Sequence, residues 1–292
     1  DSPALFHAPV SLLPSADANV PIDSRQTRFG IKDLRIQGSH FVLNGKKLFL
    51  AGFGIDAPYA DTIAAPSDKE YHLRQARIAK SFGFNFVRCH SHFLPPEYYD
   101  AMDEVGILVS PELPIVYQQY LSATGTVGLQ EFKSSWVAAI KRHRNHPSIF
   151  DWCGGNEHIW TPRLTRLLNA LYSLAKALDP TRPMIASDGN LGYPSGQTNP
   201  LIDFYSVDGT PWLGNPPIPT KPVISHETGN YNTFPRLKKA ISDLTPPGKA
   251  SKFLKPFWLT QAHDHLTSTG LIHENDLWSL RSEQLYVFTW KK

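Results

Sequence analysis

RNHPSIFDWCGGNEHIW, residues 144–160, is the stretch on which the fold turns. It opens polar, through Arg144, Asn145 and His146, and Pro147 removes a backbone donor and ends any helix arriving from upstream. Ile149, Phe150, Asp151, Trp152 and Cys153 then make a short apolar run closed by Gly154 and Gly155. A run of that length, aromatic and β-branched and bounded by Pro and Gly, predicts a buried strand. Asn156 and Glu157 follow at the strand's carboxyl end, where parallel α/β folds carry their chemistry. From this stretch alone, Glu157 is equally placed to cap the helix expected from Pro162.

A second stretch separates those alternatives. KPVISHETG, residues 221–229, is again a short apolar strand ending in a carboxylate, Glu227, and a glycine. Two carboxylates at strand ends are what a retaining glycosidase requires, one to protonate the leaving oxygen and one to attack the anomeric carbon. Seventy residues separate Glu157 from Glu227, room for about two strand–helix units. The pattern between and before them repeats the same alternation. Helical spacing over 67–82 stops at Gly83, 84–90 is strand-like, 95–105 helical and 107–111 strand-like. A helix is expected over 126–143 and another over 162–178, with strands at 184–188, 203–207 and 223–226. Strand and helix in strict turn argue for a parallel α/β fold.

At this point the chain resembles a known family. RNHPSIFDWCGGNE resembles the acid/base signature of glycoside hydrolase family 2, the group of β-galactosidases, β-glucuronidases and β-mannosidases. KPVISHETG resembles its nucleophile signature. RFGIKDLRIQGSHFVLNGKKLFLAGFGID (28–56) is similar to the family's entry into its barrel, and FGFNFVRCHSHFLPPEYYDAMDEVGILV (82–109) to the next two strand–helix units. The resemblance implies a (β/α)8 TIM barrel over 28–292, preceded at 1–27 by the remnant of an immunoglobulin-like β domain. It implies Glu157 as acid/base and Glu227 as nucleophile of a retaining, exo-acting β-glycosidase. The rival reading is a truncated or non-catalytic relative that binds carbohydrate.

The resemblance extends to the residues around the carboxylates. Asn156 would donate to the sugar 2-hydroxyl, with a turn-forming role after two glycines as its alternative. Arg88 matches the arginine that pairs with the nucleophile, with a structural ion pair as its alternative. The family has a substrate-contacting histidine in a Ser-His-Tyr-Pro pattern. This chain reads His90-Ser91-His92-Phe93, so His90 and His92 are both candidates. Trp212 and Trp152 are candidate stacking surfaces for a sugar ring, or core. The β-galactosidases' Glu and His metal ligands, counted from Glu112, fall here on Val116 and Gln118, which cannot replace them, so no metal is expected there. The glucuronidases' Asn-x-Lys motif is not recognisable, and 203–212 offers only Tyr205, within a strand, for the family's tyrosine. The sugar stays open. No organic cofactor is expected.

Composition bounds the rest. With 292 residues, 41% hydrophobic and 19% charged, the chain can bury a large core. A net charge of +3, from 29 basic and 26 acidic residues, gives no reason to expect nucleic acid or an anionic membrane as partner. No apolar run approaches the ~20 residues of a membrane span. Cys89 and Cys153 both fall in predicted strands, where a free thiol behaves as a small hydrophobe. The chain opens at Asp1 without a leader, as after processing or in a fragment. The sequence leaves the compartment open, leaning only weakly to secreted or periplasmic, and nothing addresses the oligomeric state. Asn44-Gly45 marks a hairpin turn within 41–50. After residue 230 the pattern loosens: 234–244 and 278–290 have helical spacing, and no eighth strand is recognisable.

Overall fold

A computed structural model describes residues 3–55, 59, 62, 64–116, 125–158, 161–189, 201–208, 220–227 and 268. The chain divides into a unit spanning Asp1–Thr228 and a second spanning Gly229–Lys292, of which only Ser268 is described. The expected helices at 234–244 and 278–290, and the question of an eighth strand, therefore lie outside the described residues.

The first unit begins with an antiparallel pair, β1 (Leu5–Leu12) and β2 (Asp23–Gly30), registered from Leu5↔Gly30 to Leu12↔Asp23. A three-stranded antiparallel sheet follows: β3 (Leu34–Gln37), β4 (His40–Leu43) and β5 (Lys46–Leu48). Its last turn is the expected Asn44-Gly45, with Asn44 at φ 52° and Gly45 at φ 78°, the left-handed conformations that a two-residue hairpin turn demands.

Seven strands in barrel order come next. β6 (Gly52–Ile55), β7 (Phe86–Cys89) and β8 (Leu108–Pro111) form one parallel sheet. Parallel bridges Val109↔Ile149 and Glu112↔Cys153 join β8 to β9 (Trp152–Cys153), which pairs with β10 (Met184–Ile185). The Asp203 N–H donates to Met184 O at 2.9 Å, leading to the parallel pair β11 (Tyr205–Asp208) and β12 (Val223–His226). Between them run α1 (Lys69–Ser81), α2 (Pro96–Val105), α3 (Gly125–His143) and α4 (Pro162–Leu178). This is the order of a (β/α)8 barrel.

Local chemistry sets the helix ends. Asp68 caps α1 by accepting from Glu70 N–H (2.9 Å), and Thr161 caps α4 by accepting from Leu164 N–H (3.2 Å). α2 starts at Pro96, which has no donor to lose, and stops at Gly106 in the left-handed region (φ 78°). The buried faces follow helical spacing: His72, Leu73, Ala76 and Ala79 on α1, and Leu164, Leu167, Leu168, Leu171 and Ala175 on α4.

The core closes the barrel from its amino-terminal end. Phe41, from β4, meets Phe150 and Phe204 edge-on (centroids 5.0 and 5.4 Å), and Phe86 meets Phe150 at 5.6 Å. Phe86, Phe150 and Phe204 all lie at or before the starts of their strands, so the β3–β5 sheet plugs that end with apolar rings. Lys32 adds a donor to Ile149 O beneath them. Arg182 also donates there, to Ile149 O (2.9 Å) and His146 O (2.7 Å), so the amino end holds a packed polar network of its own beneath the rings. Trp152, a candidate sugar platform, is fully buried with its Nε1–H donating to Asp179 Oδ2 (3.0 Å), so it is core.

The amino-terminal hairpin is held by one arginine. Arg28 reaches Glu104 (2.6 Å), Asp100 and, at 3.5 Å, Asp103 on α2, and Asn145 donates to Thr27 Oγ1 (3.4 Å). β2 runs continuously through the boundary anticipated at residue 28. No hydrophobic period marks β2, DSRQTRFG, because it is almost wholly polar and mostly exposed.

Candidate active site

Arg88 lies in β7, whose four residues are all buried, and its guanidinium is the point at which the strand ends meet. Nε donates to Glu112 Oε1 (2.5 Å), immediately beyond β8, and also lies against Asp188 Oδ2, beyond β10. Nη1 donates to Glu227 Oε1 (2.9 Å), immediately beyond β12. Nη2 donates to Asn156 Oδ1 (2.6 Å), beyond β9, and to His90 Nδ1 (2.8 Å), beyond β7 itself. Carboxyl ends that are far apart in sequence thus converge on one cation.

The electrostatics follow from burial. Glu112 is fully buried, and desolvation first, then the charge of Asp188, raises its pKa well above the carboxylate range. Burial opposes the charge on Arg88 as well, yet the carboxylates of Asp188 and Glu112 outweigh it and hold the guanidinium above its ordinary value. Glu227 is the most open member, with 36% of its side chain exposed against 11% for Arg88. A half-open carboxylate fixed by a buried cation is oriented yet accessible.

The Asn156-Glu157 pair is placed by backbone. Asn156 N–H donates to Ile115 O (2.9 Å), Glu157 N–H to Asp188 O (2.8 Å), and Asp188 N–H to Gly155 O (2.8 Å). Gly155 stands at φ 138°, and a Cβ there would lie 2.3 Å from Ile115 O, so no side chain fits. Glu157 and Glu227 both adopt φ 44°, which non-glycine residues rarely do.

The two histidines differ. His90 accepts from Arg88 on Nδ1, which places its proton on Nε2. His92 turns its Nδ1 to His90 O (2.6 Å), bracing the loop. Tyr205 opens β11, at the amino end of that strand, away from the converging carboxyl ends. Trp212 and Gln118 lie outside the described residues. Val116 is half-buried and forms an isolated parallel bridge with Asn156. Among the described residues Asp100, Asp103 and His146 lie close enough to hold a cation, but the Arg28 guanidinium already sits among those carboxylates. Cys89 and Cys153 are free and buried, and burial raises both thiols' pKa, which leaves them inert.

Sequence reasoning did not mark Glu112 and Asp188 as site residues. The rule that singled out Glu157 and Glu227, a carboxylate at the carboxyl end of a short apolar strand, applies to both of them.

Residues 34–283 match the model of the glycosyl hydrolases family 2, TIM barrel domain. The chain is similar to a putative β-glucuronidase of Formosa agariphila, 33% identical over 197 residues that cover 62% of this chain and 22% of that protein. It is also similar to a β-galactosidase of Alteromonas mediterranea, 25% identical over 265 residues, covering 83% and 24% respectively. Among solved structures, a β-galacturonidase from Eisenbergiella tayi bound to galacturonate superposes with TM-score 0.57 at 27% identity, covering 64% of this chain and 33% of that one. A β-glucuronidase of Bifidobacterium dentium shares the fold with TM-score 0.65 at 23% identity, covering 77% and 40%. The chain spans about a fifth of the length of the first curated relatives it matches.

Proposed function

The chain belongs to glycosyl hydrolase family 2, and from that premise we propose that it is the barrel of a retaining, exo-acting β-glycosidase in which Glu227 is the nucleophile and Glu157 the acid/base. In the first step Glu227 attacks the anomeric carbon while Glu157 gives its proton to the glycosidic oxygen, and the carbon–oxygen bond breaks to release the alcohol. In the second, Glu157 takes a proton from water, the hydroxide forms its bond to the anomeric carbon, and Glu227 departs as carboxylate. Neither step calls for a metal or an organic cofactor. The substrate is a glycoside or oligosaccharide with a terminal β-linked sugar.

One observation carries this reading. A single buried guanidinium donates to Glu227 and to Asn156, the residue before Glu157, and so ties the nucleophile's strand to the acid/base's strand. Because Asn156 spends its amide oxygen on Arg88, its Nδ2 is the end left to donate to a sugar 2-hydroxyl, a bond that strengthens in the transition state. His90, with its proton on Nε2, is the better placed of the two histidines to donate to a sugar hydroxyl.

The test is kinetic. Glu227→Ala should lose turnover on every substrate. Glu157→Ala should lose it on alkyl glycosides but keep much of it on activated aryl glycosides, which leave without protonation. Azide should rescue the Glu157 variant to a β-glycosyl azide and the Glu227 variant to the α-azide. The opposite anomers would exchange the two roles. A wild type inactive across a panel of nitrophenyl β-glycosides would leave the carbohydrate-binding reading.

A further inference from the structure

Asp188 touches both halves of the site. Its backbone carbonyl accepts from Glu157 N–H (2.8 Å) and its own N–H donates to Gly155 O (2.8 Å), so its main chain fixes the left-handed turn that carries Glu157. Its side chain faces the other way in function. Oδ2 lies against Arg88 Nε, on the guanidinium whose Nη1 holds Glu227, and Oδ1 accepts from Ser206 Oγ on β11. Ser206 also accepts from Gly189 N–H (3.1 Å), which clamps the segment just after Asp188. Residues from β7, β8, β10, β11 and β12 therefore close on this carboxylate or on the arginine it holds.

We propose that Asp188 is a positioning residue that sets the orientation and charge of Arg88 toward Glu227 while its backbone holds Glu157. This rests on the glycosidase reading of the same site. The charged and titratable groups facing it are Arg88 on β7, Glu112 beyond β8, Asp151 and Cys153 of the β9 segment, and, through Arg88, His90 and Glu227 beyond β12. Arg88 is the cation these groups share, and each carboxylate drawing on it leaves less of it for Glu227. Asp188 thus steadies the guanidinium plane and, at the same time, restrains how strongly Glu227 is held ionised.

The side chain and the backbone of Asp188 can be separated experimentally. Asp188→Asn keeps the main-chain bond to Glu157 and removes the charge beside Arg88. The expected result is a fall in kcat of about 10- to 100-fold, the scale of a misplaced reacting group. The fall should be equal for alkyl and activated aryl glycosides and should not be rescued by azide, because the acid/base arm is intact. The acid limb of the kcat/KM profile should move to lower pH, since one carboxylate fewer competes for Arg88. A role in folding alone would not move that limb.

Wild-type rates and an unmoved acid limb in Asp188→Asn would overturn the proposal. So would a loss confined to poor leaving groups and rescued by azide, which would place the action on Glu157. If Asp188→Asn fails to fold, Ser206→Ala releases Oδ1 without changing charge. It should show a several-fold loss with the same indifference to leaving group, and wild-type rates there would also overturn the proposal. An active wild type beside unaltered variants sinks this inference alone. A wild type that neither turns over aryl glycosides nor is labelled by a 2-deoxy-2-fluoro glycosyl inhibitor sinks the glycosidase reading and this inference with it.

Discussion

Arg88→Met would remove the cation that the described strand ends share while keeping most of the side chain's length. Five groups would lose their donor or ion partner: Glu112, Asp188, Glu227, His90 and Asn156. The cost is dominated by the two least exposed carboxylates, Glu112 with 0% of its side chain exposed and Asp188 with 11%. Glu227 contributes little, since at 36% exposure water can replace the arginine. Removing one partner of a buried ion pair costs about 3–5 kcal/mol, because the stranded charge stays buried. At about 2–4 °C per kcal/mol for a domain of this size class, the melting temperature should fall by roughly 6–20 °C.

The pH dependence has a definite sign. Burial already raises the Glu112 pKa beside Arg88, and removing the guanidinium, whose charge lowers it, raises the folded value further. The added destabilisation is therefore absent below the unfolded carboxylate range and grows as pH rises toward the folded value. Urea denaturation at pH 5 and pH 8 should give a larger deficit at pH 8. Adding Glu112→Gln should recover about 1–2 kcal/mol, because a neutral amide needs no counter-ion. A deficit below about 1 kcal/mol, or one equal at both pH values, would refute the claim that Arg88 neutralises buried charge.

Asp151 is fully buried, and desolvation raises its pKa to about 8, so the folded chain keeps a proton that the unfolded chain releases near the usual carboxylate value. Its stabilising contribution is present at low pH and lost as pH rises to about 8; Asp151→Asn should gain on the wild type by up to a few kcal/mol between pH 5 and 8 in denaturation curves, and a constant gap would contradict this. Gly155→Ala should destabilise by about 1–3 kcal/mol and abolish turnover, since its Cβ would strike Ile115 O and displace Glu157; an active, stable Ala variant would show that the backbone there can shift. At Glu157 and Glu227, the Gly variant should be more stable than the Ala variant by about 1 kcal/mol in thermal melts, the reverse of the helix-interior order, because only glycine relieves φ 44°. Ala equal to or better than Gly would mean that the conformation carries no strain.

The order of elements was legible because strand and helix have different hydrophobic periods and the chain punctuates them with Pro and Gly. The α4 bounds, Pro162–Leu178, follow from a proline at its start and Asp179-Pro180 after its end. β2 and β3 were not legible. DSRQTRFG has no apolar alternation and is a strand because β1 pairs with it, while LRIQ is too short to show a period and is fixed by β4. At the site, Glu157 and Glu227 stood out through their flanking motifs. Glu112 and Asp188 follow Ser110-Pro111 and Ala186-Ser187. Each stands just past a short apolar strand, as Glu157 and Glu227 do, but no flanking motif marks it, and what brings it into the site is a shared guanidinium more than twenty residues away in sequence.

Strain and chemistry coincide in this fold. Four non-glycine residues take positive φ among those described: Asn44, Ser91, Glu157 and Glu227. Asn44 serves a hairpin turn, a role that Asn tolerates well. The other three lie beyond barrel strands, and each is held by something outside its own loop. Ser91 N–H donates to Glu112 Oε2 (2.7 Å), Glu157 N–H to Asp188 O (2.8 Å), and Glu227 Oε1 accepts from Arg88 (2.9 Å). A left-handed residue costs roughly 1–2 kcal/mol, which a loop on its own would relax away. Here relaxation would break hydrogen bonds to buried partners, one of them the charged and desolvated Arg88, and that loss exceeds the strain. The rigid ring of strand ends thus holds Glu157 and Glu227 in conformations the chain would otherwise leave. The same Arg88 cluster that makes the site costly to perturb keeps those two carboxylates in place for the double displacement proposed above.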